Sequence, residues 1–317
     1  MDLRPIDDRP CGVCGGACRV RVEGLFDDRF GAPGTYVIVK CCHCGLEQTR
    51  PRPSEAELKK LYENFYNAGI KSGSAYGGLR ERFLTSGLYR LWLKWDGDMS
   101  FHDRRGGGRL LDVGCNEGRS LRLYADNGVE VEGLELNELA AAEARRRGFR
   151  VHSASLGQFR IEEPYDVVVL ANVLEHAWDP VQMLAEVRRL LRPAGEVWIS
   201  CPNAASLWRG VFRRAWVNWH VPYHLWHFSP ATLAEVLGRA GFEVASLETY
   251  TPALWLAQSL CVSLGSRKGR SNRMMRSAPV AAGLMLLARA LVLPWFGHLN
   301  RRQAADCLIV TARLGKG

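Results

Sequence analysis

Short apolar runs and amphipathic stretches alternate between residues 109 and 250. The runs "RLLDVG", "VEVEGLEL", "YDVVVLANV", "GEVWIS" and "FEVASLETY" read as strands. The stretches between them carry helix ends. Asn137 can cap "ELAAAEARRR", which stops at Gly148. Asp179 followed by Pro180 can start "VQMLAEVRRLL", with Val181, Leu184, Val187 and Leu191 on one face and Gly195 beyond the end. Ser229-Pro230 opens "ATLAEVLGRA", closed by Gly241. Strands alternating with helices of this length predict an α/β fold with a parallel, doubly wound sheet.

The flanks differ. Residues 1–50 are rich in cysteine, with a strand candidate at "TYVIVK". Residues 51–105 run from "PRPSEAELKKLYENFY" through aromatic, helix-like stretches such as "SGLYRLWLKW" and form a helical linker or cap before the glycine run at 106–108. The core is placed at 106–250. Residues 251–317 hold two apolar stretches, "PALWLAQSLCVSL" and "APVAAGLMLLARALVLPWF", around a basic loop, and end in a last strand candidate, "DCLIVTARL".

Composition narrows the class. The chain has 317 residues, 47% hydrophobic and 24% charged, enough for one sizeable core and a smaller module. Its net charge of +9 attracts anions without choosing among nucleic acid, membrane surface and phosphorylated substrate. The start "MDLRPIDDRPCGVCGG" has no apolar run behind a basic segment, so a cytoplasmic location is expected. In that compartment ten cysteines point away from disulfides, and six of them lie within the first 44 residues. Cys11 and Cys14, and Cys41 and Cys44, are spaced as two zinc knuckles, each followed by glycine (Gly15, Gly45). Four thiolates close a tetrahedral shell and leave no place for water, so a structural Zn2+ is expected. Cys18 and Cys42 read as bystanders. A redox role fits poorly, because neither pair opens a helix in a βαβ unit.

The stretch "GRLLDVGCNEGRSL" joins a strand ending in Asp112 to a loop with Gly114 and Gly118 and then a helix start. Such a loop lets backbone N–H groups approach a ligand closely. The next strand ends in Glu135, an acid about 20 residues on, which suits ribose hydroxyls. The pair points to a nucleoside-containing cofactor.

The segment D-V-G-C-N-E-G resembles motif I of the class I S-adenosylmethionine-dependent methyltransferases, D-x-G-x-G-x-G. Asn116 replaces the middle glycine; Asn tolerates positive φ, so the turn can survive. "YDVVVLANVLEHAWDPVQMLAEVRRLLRPAGEVWISCPN" and "VPYHLWHFSPATLAEVLGRAGFEV" resemble later segments of the same enzymes. The N-terminal cysteine arrangement is similar to the zinc-ribbon front end of a bacterial group that often methylates sugars, cell-surface and secondary-metabolite intermediates. The resemblance implies a Rossmann-like fold with a mostly parallel seven-stranded sheet, a small N-terminal zinc ribbon, and S-adenosylmethionine as cofactor. It implies that Asp112, Gly114, Asn116, Gly118, Glu135 and Asn172 hold that cofactor. The family often has an acid after strand three to meet the adenine; here "HSASLGQF" offers Ser155 or the backbone at Leu156.

The chemistry this resemblance implies is methyl transfer to a small-molecule or glycan acceptor. A hydroxyl acceptor needs a base, and the candidates are His224, His176 and His227, with His220 behind them. Trp216, Trp219, Trp226 and Phe228 suit either an acceptor wall or a core. Nucleic acid is disfavoured: the strand-four site reads "ANVLEH" rather than an amino-methylating D/N-P-P-Y element, and Cys201-Pro202 lies after strand five. An RNA or tRNA methyltransferase and a non-catalytic S-adenosylmethionine-binding scaffold stand as alternatives. For residues 251–300 two readings stay open. One is helices packed on the core; the other is a peripheral hairpin on the anionic inner membrane face, through a basic loop of Arg267, Lys268, Arg270, Arg273 and Arg276. Neither apolar stretch is long enough to span a bilayer.

Overall fold

The computed structural model describes residues 9–66, 86–87 and 106–315. Most of the expected 51–105 linker, including "SGLYRLWLKW", lies outside the described residues. The chain divides into two compact units, and neither is contiguous. The first takes Met1–Asp98, Pro202–Ser229 and Thr249–Cys307; the second takes Met99–Cys201, Pro230–Glu248 and Leu308–Gly317.

The first unit opens with strands β1 (Cys18–Leu25), β2 (Tyr36–Cys41) and β3 (Glu47–Arg50) and helix α1 (Glu55–Leu61). Ser54 and Glu57 start α1 with a capping box, each side chain taking the other's backbone N–H. In the second unit follow β4 (Arg109–Val113), α2 (Arg119–Asp126), β5 (Glu130–Leu134), α3 (Glu138–Arg146), β6 (Arg150–His152), β7 (Tyr165–Ala171), α4 (Pro180–Leu190) and β8 (Leu191–Pro202). The remaining elements are α5 (Leu207–Phe212), β9 (Trp226–His227), α6 (Pro230–Arg239), β10 (Phe242–Tyr250), α7 (Ala253–Gly265), α8 (Ala278–Val292), α9 (Phe296–Arg301) and β11 (Cys307–Leu314).

The second unit is built on a seven-stranded sheet in the order β10-β11-β8-β7-β4-β5-β6. β4 pairs in parallel with β5 on one side and β7 on the other, and β6 and β8 extend the parallel pairing outward. The chain therefore reverses direction across the sheet beside β4, the position at which doubly wound sheets bind ligands. This is the Rossmann-like sheet. Leu110, Leu111 and Val167 to Leu170 are fully buried because helices cover both faces, and burying each such side chain contributes about 1.5–3 kcal/mol. Asn137 caps α3 by accepting from the N–H groups of Leu139 and Ala140, and Asp179 caps α4 through Val181 and Gln182 with Pro180 in the first turn. The buried face of α4 is Leu184, Val187 and Leu190 rather than Leu191. Leu191 instead begins β8, opposite Tyr165, so the strand starts before the expected "GEVWIS".

In the first unit, β1, β2, β3 and β9 form an antiparallel sheet in that order. Leu25, Tyr36, Ile38, Trp216, Trp219 and Val221 make its core. Trp226 and Phe228 are buried as well, so all four aromatics weighed as an acceptor wall are packed inside. The Trp216 indole N–H donates to Asp306 at 2.8 Å, which satisfies its polar edge. The two apolar stretches near the C-terminus are α7 and α8, which meet through Ala253, Leu256 and Ala288 with Trp208 and Phe212 against them. Among the described residues no helix is long and apolar enough to cross a membrane.

Candidate cofactor site and cysteine cluster

In the second unit, Gly114 and Gly118 have φ of 74° and 77°, and Asn116 between them has φ of 51°. All three positions need the left-handed region, and Asn is the substitute for glycine that accepts it with least strain. A Cβ on Gly114 would lie 2.9 Å from Val173 Cγ2, so the loop is also closed to side chains on that side. The loop is tethered to the next strand: the Gly114 N–H donates to the Leu134 carbonyl at 2.7 Å. That tether brings Glu135 alongside. One carboxylate oxygen accepts from the Asn116 N–H at 2.9 Å and the other from the Asn137 N–H at 2.7 Å. Glu135 thus spans the glycine loop and the first turn of α3, and it stays partly exposed.

Asp112 is buried beneath the loop, and the Ser120 hydroxyl donates to it across the first turn of α2. Burial pushes the Asp112 carboxyl up to about 7; the Ser120 bond opposes this and the Glu135 charge adds to it. At the end of β7, Asn172 has φ of 54° and donates its N–H to the Ser200 carbonyl at 2.8 Å. Its side-chain oxygen is buried and, among the described residues, meets no donor. A buried acceptor without a donor costs free energy until a ligand supplies one. Ser155 turns its hydroxyl to Gln158 at 2.9 Å, and the Leu156 carbonyl accepts from Arg189 at 3.2 Å.

A left-handed glycine cradle, a carboxylate spanning it and an orphaned buried acceptor fit a nucleoside-bearing ligand at the ends of the central strands. A family model described as a methyltransferase domain matches residues 76–247. The chain belongs to that methyltransferase-domain family. A "Probable S-adenosylmethionine-dependent methyltransferase" of Mycolicibacterium smegmatis is 37% identical over 144 residues, covering 44% of this chain and 54% of that protein. Another of that description, from Mycobacterium tuberculosis H37Rv, is 32% identical over 136 residues, covering 42% and 48%. The "Ubiquinone biosynthesis O-methyltransferase" of Aromatoleum aromaticum is 34% identical over 105 residues, covering 31% and 45%. The chain spans about half the length of these relatives.

The histidines divide between the two units. In the second, His176 ends a short helical turn after β7 and is half-buried. Its neighbour Glu175 is fully buried, and burial pushes its carboxyl up to about 8. Neither Glu175 nor Ser120 stands out from sequence spacing, although the adjacent "EH" dipeptide marks the place. In the first unit, His224 is buried with Nδ1 2.8 Å from the Asn218 carbonyl, which places the ring proton on Nδ1 and leaves Nε2 as a hydrogen-bond acceptor. His220 Nδ1 lies 3.3 Å from that Nε2. His227 directs Nε2 to Thr49 Oγ1 at 3.0 Å, while Thr49 donates its own proton to the His224 carbonyl. Burial, with the Arg209 charge, pushes His227 down to about 3, so its imidazole is neutral and a weak base at pH 7.

The four expected cysteines of the first unit come together. The sulfurs of Cys11, Cys14, Cys41 and Cys44 all lie within 4.8 Å of one another. The Cys11–Cys44 and Cys14–Cys41 separations are 3.8 and 3.4 Å. A tetrahedral ion with metal–sulfur bonds of about 2.3 Å needs sulfurs about 3.8 Å apart. Gly15 and Gly45 take φ of 71° and 76°, turning the chain back after each pair. The N–H groups of His43 and Cys44 point at Cys41 Sγ at 3.3 and 3.4 Å. Burial is the largest influence on Cys41 and opposes its ionisation, but the N–H bonds from Cys44 and His43 and contacts from Cys14 and Cys44 bring it down to about 6. Cys18 and the exposed Cys42 and His43 stand outside the cluster. No disulfide forms among the described residues.

Proposed function

We propose that the protein is an S-adenosylmethionine-dependent methyltransferase acting on a small molecule, with a sugar of a surface glycan or a natural-product intermediate as the acceptor class. The Glu135 clasp on the glycine loop is the observation that carries this reading. S-adenosylmethionine supplies, when bound, a methyl group activated on a sulfonium sulfur. Glu135 would exchange part of its backbone bonding for ribose hydroxyls, and Gly114 to Gly118 would pack against the nucleoside without side-chain interference. Asp112 braces the loop from beneath through Ser120. The Asn172 side-chain oxygen would accept a bond from the cofactor, and Ser155 would face the base.

For a hydroxyl acceptor, His224 or His176 takes the proton; the depressed basicity of His227 makes it the weakest of the three as a base. The curated relatives support a small-molecule acceptor, because some carry names for O-methylation in ubiquinone biosynthesis. The cysteine cluster holds a structural Zn2+ in this reading, and the packing of Trp208 and Phe212 of α5 against α7 and α8 supports packed helices over a membrane-resting hairpin.

The test is label transfer from methyl-labelled S-adenosylmethionine into a host extract separated into aqueous, solvent-extractable and nucleic-acid fractions. Label in aqueous small molecules is expected. Label in the solvent-extractable fraction would move the acceptor onto a lipid carrier and revive the membrane-facing hairpin. Label in nucleic acid would overturn the acceptor class. Tight cofactor binding with no label anywhere would favour a non-catalytic scaffold.

A further inference from the structure

The sheet of the first unit carries a row of ionisable side chains that neither the cofactor site nor the cysteine cluster uses. Arg19 on β1 lies opposite Lys40 on β2, Lys40 opposite Glu47 on β3, and Glu47 opposite His227 on β9. Residues directly opposite in adjacent antiparallel strands project to the same face. One face of all four strands therefore presents Arg19, Lys40, Glu47 and His227 in line.

Two hollows lie along this row and share Lys40. One, of about 420 Å³, is lined by Arg19, Val20, Arg21 and Lys40. The other, of about 320 Å³, includes Lys40, Gly45, Glu47, Arg209, His227 and Ser229 in its wall. Glu47 is the one carboxylate among these lining residues, and it is already committed. It is buried and grips Arg209 with both oxygens, at 2.7 and 3.3 Å. The Arg209 guanidinium also sits 5.3 Å from the Trp219 ring centroid. Its side chain is only 14% exposed, so the cation is held in one orientation before any ligand arrives. Among the described residues Lys40 meets no carboxylate. Among the described lining residues, Arg19, Arg21 and Lys40 are thus cations in excess of the Arg209–Glu47 pair.

The exposed guanidinium groups of Arg19 and Arg21 offer N–H donors that match tetrahedral oxyanions, and the Lys40 ammonium adds a mobile point charge. Each hollow has the size of a small-molecule subsite. We propose that this row is a binding site for the phosphate-bearing part of a small molecule, with Lys40 and Arg19 as its principal contacts, Arg21 extending it and the Arg209–Glu47 pair forming a fixed wall. Gly45, the turn after the second cysteine pair, forms part of the rim, so the cysteine cluster has a local purpose in holding the site's shape. The proposal stands independently of the cofactor site in the second unit.

Inorganic pyrophosphate is the probe, titrated into the full chain by calorimetry at low salt. The wild-type protein is expected to bind it. Lys40→Met should weaken binding about tenfold, and Arg19→Met combined with Lys40→Met should abolish it. Arg146→Met, at an exposed position on α3 of the other unit, should leave it unchanged. S-adenosylmethionine affinity measured on the same samples should not move, which separates this site from the cofactor site, and an unchanged thermal unfolding profile reports intact folding of the first unit. Absence of binding by the wild-type protein would overturn the proposal. So would an equal loss with Arg146→Met, which would mark diffuse attraction to a basic chain.

Discussion

At the scale of single residues, the cofactor loop depends on two carboxylates in contrasting surroundings. Glu135 is partly exposed and accepts two backbone N–H groups; Asp112 is buried and bonded by one hydroxyl. Glu135→Ala should weaken S-adenosylmethionine binding by about 1–3 kcal/mol, the value of charge-assisted bonds to a ligand. Unchanged affinity in calorimetry would remove Glu135 from the site. Asp112 carries a proton-linked prediction. Its folded-state pKa of about 7 is raised above the unfolded value of 3.8. Its contribution to stability is therefore fully present below about pH 4 and is lost as pH rises through 7. The stability difference between wild type and Asp112→Asn should fall across that window in chemical denaturation. A pH-independent difference would show that Asp112 is ionised in the fold. Both acids are visible in the sequence as strand-end residues. Their different environments are not, because burial of Asp112 depends on how α2 closes over it.

At the scale of elements, glycine and cysteine spacing specifies two tight turns that the tertiary structure reproduces. Gly15 and Gly45 bend the chain so that two sequence-distant pairs converge on one point. Cys11→Ser should lower metal content and the stability of the sheet β1-β2-β3-β9, while S-adenosylmethionine binding persists. Loss of both together would make the cluster part of the cofactor site. The helices of the second unit are legible from their caps and apolar faces, since Asn137, Asp179 and Pro180 act within one turn of chain. The strands β3, β6 and β9 are not, whereas β1, "CRVRVEGL", alternates arginine with valine over its first residues. "EQTR" and "WH" are too short and too polar to show alternation, and β6 has three residues; neighbouring strands, rather than intrinsic preference, hold them extended. The Leu190–Leu191 boundary has the same cause, because pairing of Leu191 with Tyr165 ends the helix a residue early.

At the scale of the whole molecule, the family match covers residues 76–247, whereas the compact units draw on stretches before, within and after it. Ligand effects should respect that division. With S-adenosylmethionine, hydrogen exchange should slow at residues 110–118 and 130–140 in the second unit and change little at 11–50. Equal slowing in both regions would contradict a cofactor site confined to the second unit. The sequence by itself determined the α/β class, the glycine loop with its distant acid and the four-cysteine cluster. The first rests on local periodicity, the second on an acid at the end of the next strand, and the third on two pairs of identical spacing that suit one ion. Only the tertiary structure decided that the four aromatics are core, that Thr49 sets the His227 tautomer, and that Arg19, Lys40, Glu47 and His227 stand in one row. Those relations join residues far apart in the chain through strand register, and a one-residue slip would turn each side chain to the opposite face.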